Sequence, residues 1–204
     1  SPAPEGPLTA ARLAEPVQEL ARSLERPPLL LGMSLGGRVA LEAAFAEPRA
    51  FRGAVLVAPF LPWRHWRRAV ELLGRLDPSW AERLPLEKAW PLLKRIAEAL
   101  ERRPDLEHDW LARAAVRVIY TSSCPATRAA FFSATREMAL DPASGPGSLW
   151  DRLPGLGVPA TFVWAGRDAL IPRDHALHVD EVLPQADQLE IPCSGHFVSG
   201  AHFR

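Results

Sequence analysis

The chain is poor in cysteine, nearly devoid of lysine and without net charge. Its two thiols, Cys124 and Cys193, stand in no C-x-x-C pair and at no metal-ligand spacing, which excludes a disulfide framework or a thiolate metal centre as the organising principle. Reduced thiols in a reducing cytoplasm are expected. Acidic and basic residues balance at 24 each, so no overall field draws in nucleic acid or an anionic membrane. Lys88 and Lys94 are the only lysines, every other basic residue being arginine, and 21 prolines with abundant alanine match the usage of a GC-rich bacterial genome. No apolar run approaches the ~20 residues of a membrane span, and no basic-then-apolar leader opens the chain. The partner that remains is a small, neutral or apolar molecule.

What is present is a core-forming composition. With 204 residues, 48% of them hydrophobic, the chain can bury one sizeable domain, or one domain carrying a large insertion. Residues 1–7 read as a loop. From Thr9 to Arg26, Leu13, Val17, Leu20 and Leu24 recur at helical spacing, with Thr9 as N-cap and a kink at Pro16. Leu29 to Met33 reads as a strand, Leu35 to Phe45 as a helix and Ala54 to Ala58 as a second strand. Apolar strands that do not alternate with polar residues imply a parallel sheet buried on both faces. Beyond Pro62 the pattern becomes helical: Trp66 to Leu76, Leu86 to Leu100, Leu106 to Ile119 and Pro125 to Met138. The sheet pattern resumes with strand Ala160 to Trp164, helix Arg173 to Leu183 and strand Gln188 to Ile191. The reading is of a core part at 1–61, a helical insertion at 62–124 and a return to the core at 125–204.

The segment Gly32-Met33-Ser34-Leu35-Gly36 lies between a strand signal and a helix signal. A serine at the tip of such a turn is held in a strained backbone conformation, which is why small residues flank it. An ordinary helix N-cap is the plainer reading of Ser34. Two further loops at strand ends weigh against it. One carries Asp168 after the strand ending at Trp164; the other carries His196 after the strand ending at Ile191. Asp168 also reads as a cap or as a partner of Arg167 or Arg173, with Asp174 as its substitute. The order Ser, Asp, His is nevertheless the order of an acyl-transfer triad built on an open parallel sheet. His175 and His178 share a helical face without a carboxylate of clear geometry and read as surface residues.

Together the elbow, the loop Trp164-Ala165-Gly166-Arg167-Asp168 and the loop Ser194-Gly195-His196-Phe197 resemble the α/β-hydrolase fold, particularly its small lid-bearing esterases, over nearly the whole chain. The resemblance implies an α/β, mostly parallel, doubly wound sheet, represented by its C-terminal part, with 62–124 as an inserted helical lid. It implies Ser34 as nucleophile, His196 as general base and then acid, and Asp168 as the group that orients the imidazole. The Leu35 N–H becomes one oxyanion donor. Met33, Phe60, Leu61, Trp63 and Trp66 become the wall of an apolar acyl pocket. Neither metal nor cofactor is implied. The expected activity is hydrolysis of a small apolar carboxylic ester or thioester, falling at acid pH as His196 protonates. C–C bond hydrolysis or cofactor-free perhydrolysis would use the same three residues, and a catalytically silent binding module would keep the fold alone. A hydroxyl at position 34 disfavours epoxide hydrolase and dehalogenase chemistry, which place a carboxylate there. The loop that supplies the second oxyanion donor in that family, and the strands before it, have no counterpart among these residues. The chain therefore reads as a piece of a longer enzyme, with a missing N-terminal segment as its partner.

Overall fold

A computed structural model of the chain describes residues 6–64, 72, 74, 75, 77, 79, 83, 84, 86–102, 116, 118–120 and 122–196. Helix α1 (Ala10–Arg22) starts where the Thr9 hydroxyl accepts the Arg12 N–H at 3.2 Å. It stops four residues short of the expected end, where the Ser23 hydroxyl takes the Leu20 carbonyl at 2.7 Å. Its buried stripe is Ala10, Ala14, Gln18 and Ala21, one step round from the leucine stripe; Leu20 and Leu24 face solvent. The small residues win this face because α1 packs closely on α2 (Leu35–Ala46), itself lined by Ala40, Ala43 and Ala44.

Strands β1 (Leu29–Met33) and β2 (Gly53–Val57) pair in parallel, with Leu31 opposite Val55. The connection after β2 includes α3 (Leu86–Glu101), α4 (Pro125–Leu140) and the short α5 (Leu149–Arg152). The helices expected over 66–76 and 106–119 fall largely outside the described residues. Strand β3 (Ala160–Ala165) pairs with β2, then α6 (Asp174–Val182) leads to β4 (Asp187–Ile191) on the far side of β3. The Trp150 indole N–H donates to the Pro62 carbonyl at 2.9 Å, tying the two ends of the long connection together.

The strand order is β1-β2-β3-β4. Right-handed crossovers between successive neighbours put every connecting helix on the same side of a sheet. The core forms there, around Leu56, Phe162 and Leu41, all fully buried. The opposite face was expected to be covered as well, yet Leu31 is 74% and Leu29 48% exposed. The order never reverses among the described strands, so no described crossover reaches that side. The histidines also differ from expectation: His175 is buried edge-on against Trp150 at 5.4 Å, and half-buried His178 packs on the other histidine's indole partner while bonding Glu181 at 2.8 Å. Cys124 and Cys193 are exposed free thiols. Among the described residues no helix is long and apolar enough to cross a membrane.

Candidate active site

The sheet brings three side chains from three strand ends to one point. Ser34 follows β1 with φ 52° and ψ −120°, and it makes no side-chain cap to α2, which removes the N-cap reading. The turn is tight because its glycines are crowded. A Cβ at Gly32 would lie 2.4 Å from the Gly36 carbonyl oxygen, and one at Gly37 would lie 2.8 Å from Pro59 Cβ. Gly36 itself faces open space, so the steric requirement rests on positions 32 and 37 rather than 32 and 36. Four backbone bonds hold the serine: its N–H donates to Val57 at 2.9 Å, and its carbonyl accepts from Phe60 at 2.9 Å and from Gly37 and Arg38 of α2 at 3.0 and 3.2 Å.

Asp168 sits in the turn after β3. One carboxylate oxygen accepts the Leu170 and Ile171 N–H groups at 2.8 and 2.9 Å, and the other lies 2.9 Å from His196 Nδ1. Burial pushes the carboxyl up, but the His196 hydrogen bond and the Ile171 and Leu170 N–H groups outweigh it and hold Asp168 below the ordinary aspartate range. Because an ionised carboxylate only accepts, Nδ1 carries the proton and Nε2 is left as acceptor. Ser34 Oγ lies 3.0 Å from that Nε2. The acid and histidine loops are fastened to each other: Gly166 N–H donates to Ile191 at 3.0 Å and Arg167 N–H to Ser194 at 2.9 Å. Arg173 pairs with Glu190 instead of Asp168.

Leu35 is the first residue of α2, where backbone N–H groups lack helical acceptors. Met33 precedes the elbow on the open face of β1 and is partly exposed. Phe60 is half-buried and packs 6.0 Å from the Trp63 ring. Trp63 Nε1 is buried with no hydrogen-bond partner among the described residues, so the surroundings of the Phe60–Trp63 pair are not purely apolar. Leu61 has no exposed surface and belongs to the main core cluster, a correction to its expected place on a pocket wall. Trp66 lies outside the described residues.

Below the elbow lies a charged cluster that the sequence reading did not single out. Buried Arg38 bonds both Glu42 and Asp141, the residue that ends α4. Arg152 meets Glu42 with both terminal nitrogens and stacks on the Phe45 ring at 4.7 Å. Burial acts to raise Glu42, but Arg152 and Arg38 together hold it below the ordinary glutamate range. An Arg and a Glu at i, i+4 inside an otherwise apolar helix is the signal that could have revealed the pair.

Comparison with known proteins follows the same lines. The sequence pattern of the alpha/beta hydrolase fold matches residues 1–202. No curated protein matches the chain. Among solved structures, a hydrolase from Pseudomonas aeruginosa superposes with a TM-score of 0.58 at 20% identity, covering 93% of this chain and 66% of its own. A thermophilic esterase from Thermogutta terrifontis gives 0.59 at 22% identity, covering 94% and 66%. An enol-lactonase from Burkholderia xenovorans gives 0.60 at 16% identity, covering 94% and 68%. The chain thus spans just under two thirds of the first two, and at these identities the likeness is one of fold.

Proposed function

The chain belongs to the α/β-hydrolase fold family, and we propose that within it the protein acts as a serine hydrolase of small apolar carboxylic esters or thioesters. One observation carries this reading: Ser34 Oγ lies 3.0 Å from His196 Nε2, whose Nδ1 lies 2.9 Å from Asp168. A serine hydroxyl is a weak nucleophile until an adjacent base takes its proton.

Ser34 Oγ attacks the acyl carbonyl carbon as its proton passes to His196 Nε2. The carbonyl oxygen takes up the negative charge and accepts the Leu35 N–H. Collapse of the tetrahedral intermediate breaks the bond to the alcohol or thiol, which leaves with the proton from Nε2. Water then adds to the acyl-serine by the same route, releasing the acid and restoring Ser34. Asp168 stays ionised throughout and stabilises the imidazolium; its lowered carboxyl suits that role. In this reading Phe60 and Trp63 belong to the acyl side, Met33 to its margin, and the insertion at 62–124 has the role of a lid. The test is covalent: a fluorophosphonate probe should label the wild-type protein on Ser34, and Ser34→Ala should remove both labelling and turnover of p-nitrophenyl butyrate. Persistent labelling of the alanine variant would exclude this serine.

A further inference from the structure

Among the described residues, only two that are not glycine have positive φ: Ser34 at 52° and Ala58 at 40°. The first belongs to the elbow. The second lies just past β2, in a turn where glycine would be the relaxed choice.

The two strained residues are bound to each other's surroundings. Val57, just before Ala58, accepts the Ser34 N–H at 2.9 Å; Phe60, two residues after it, donates to the Ser34 carbonyl at 2.9 Å. Ala58 therefore lies between the two partners that reach Ser34 from the β2 side, while the Gly37 and Arg38 N–H groups hold the same carbonyl from α2. Its own N–H is fixed to the Val163 carbonyl of β3 at 2.8 Å, and its methyl is fully buried in the core. Between Ala58 and Phe60, Pro59 fills the space that a side chain at Gly37 would need. The strap 58–60 thus touches the elbow at residue 34 and again at residue 37, one turn into α2.

We propose that Ala58 is a positioning residue for the nucleophile, acting through this strap. The inference rests on the reading of Ser34 as nucleophile. A glycine would accept the same φ without strain and would also admit many other conformations. The methyl group excludes those alternatives. It holds the Phe60 N–H on the Ser34 carbonyl, and so holds Oγ on His196 Nε2 and the Leu35 N–H toward the oxyanion. Strain of this kind persists where the surroundings enforce it and where it serves the site.

Ala58→Gly provides the test, because relief of strain and loss of one buried methyl act on stability in opposite directions. The thermal midpoint should move by no more than about 4 °C, within the range of a small ΔΔG. Turnover of p-nitrophenyl butyrate should nevertheless fall by about 10–100-fold in kcat, the scale of a misplaced reacting group, with KM within about twofold. The fluorophosphonate labelling rate should fall by the same factor. A kcat within twofold of wild type would overturn the proposal, as would a loss of rate matched by a large drop in thermal midpoint. Should the glycine variant fail to fold, replacing the Phe60 residue by phenyllactate, which keeps the ring and removes the N–H, decides the matter: an unchanged kcat again overturns it. Ser34→Ala separates the two levels, since labelling that survives there removes the hydrolase reading, whereas labelling lost there with an unimpaired Ala58→Gly removes only the strap.

Discussion

Asp168 divides its carboxylate between His196 and the chain: Oδ2 meets the imidazole at 2.9 Å while Oδ1 holds the Leu170 and Ile171 N–H groups. The two tasks can be separated by mutation. Asp168→Asn keeps an oxygen for the backbone turn but turns an amide NH2 toward Nδ1, favouring the tautomer that leaves Nε2 protonated and unable to accept from Ser34. kcat should fall by roughly 10³–10⁴-fold with the thermal midpoint nearly unchanged. An active variant in a steady-state assay would remove Asp168 from the triad.

Gly36 and Gly37 are adjacent in sequence and opposite in tolerance. A methyl at 37 would strike Pro59, both elements being backbone-anchored, so Gly37→Ala should cost about 1–3 kcal/mol in urea unfolding and reduce turnover. Gly36→Ala meets open space in the first turn of α2 and should leave stability unchanged or raise it by up to about 0.5 kcal/mol. Equal urea midpoints for the two variants would contradict the geometry.

Glu42 and Asp141 together balance Arg38 and Arg152, and Glu42 bonds both arginines, so Glu42→Gln leaves the cluster with one uncompensated positive charge. A loss of about 2–4 kcal/mol is expected from chemical denaturation. The cluster also fixes the direction of a pH effect. The folded-state carboxyl lies below its unfolded value of about 4.3, so its contribution is complete above that value and is lost as pH falls through the folded one. The wild-type urea midpoint should therefore drop below about pH 4.5, and the glutamine variant should show a shallower drop. Parallel curves would show that Glu42 contributes nothing to acid sensitivity.

The strand and helix pattern from Leu29 to Ala58, and the three loops bearing Ser34, Asp168 and His196, were readable because each depends on local features: an apolar run, a glycine, a change of period. The open face was not. Leu31 is as apolar as Leu30, and only the spatial order of strands decides that one meets α2 while the other meets solvent. The same holds for α1, where a run of leucines outshone the alanines that close packing with α2 requires. Ala58 carries no signal at all, since a residue's φ is set by its partners and an alanine in sequence looks like any other. Leu61 reads in sequence like its half-buried neighbour Phe60, yet it is fully enclosed in the core that Phe60 only packs against.

Ser34 and His196 are 162 residues apart in the chain. Contacts between groups so far apart in the chain form slowly, and the parallel strands between them add only non-local pairings, so this contact is expected after the local β1 turn. In a refolding experiment the β1 turn can be complete while the imidazole is still absent, and the serine is then inert. On the proposed reading of Ser34, recovery of probe reactivity should then report the docking of β4 and its loop, and the Ser34–His196 pair would serve as a clock for that step.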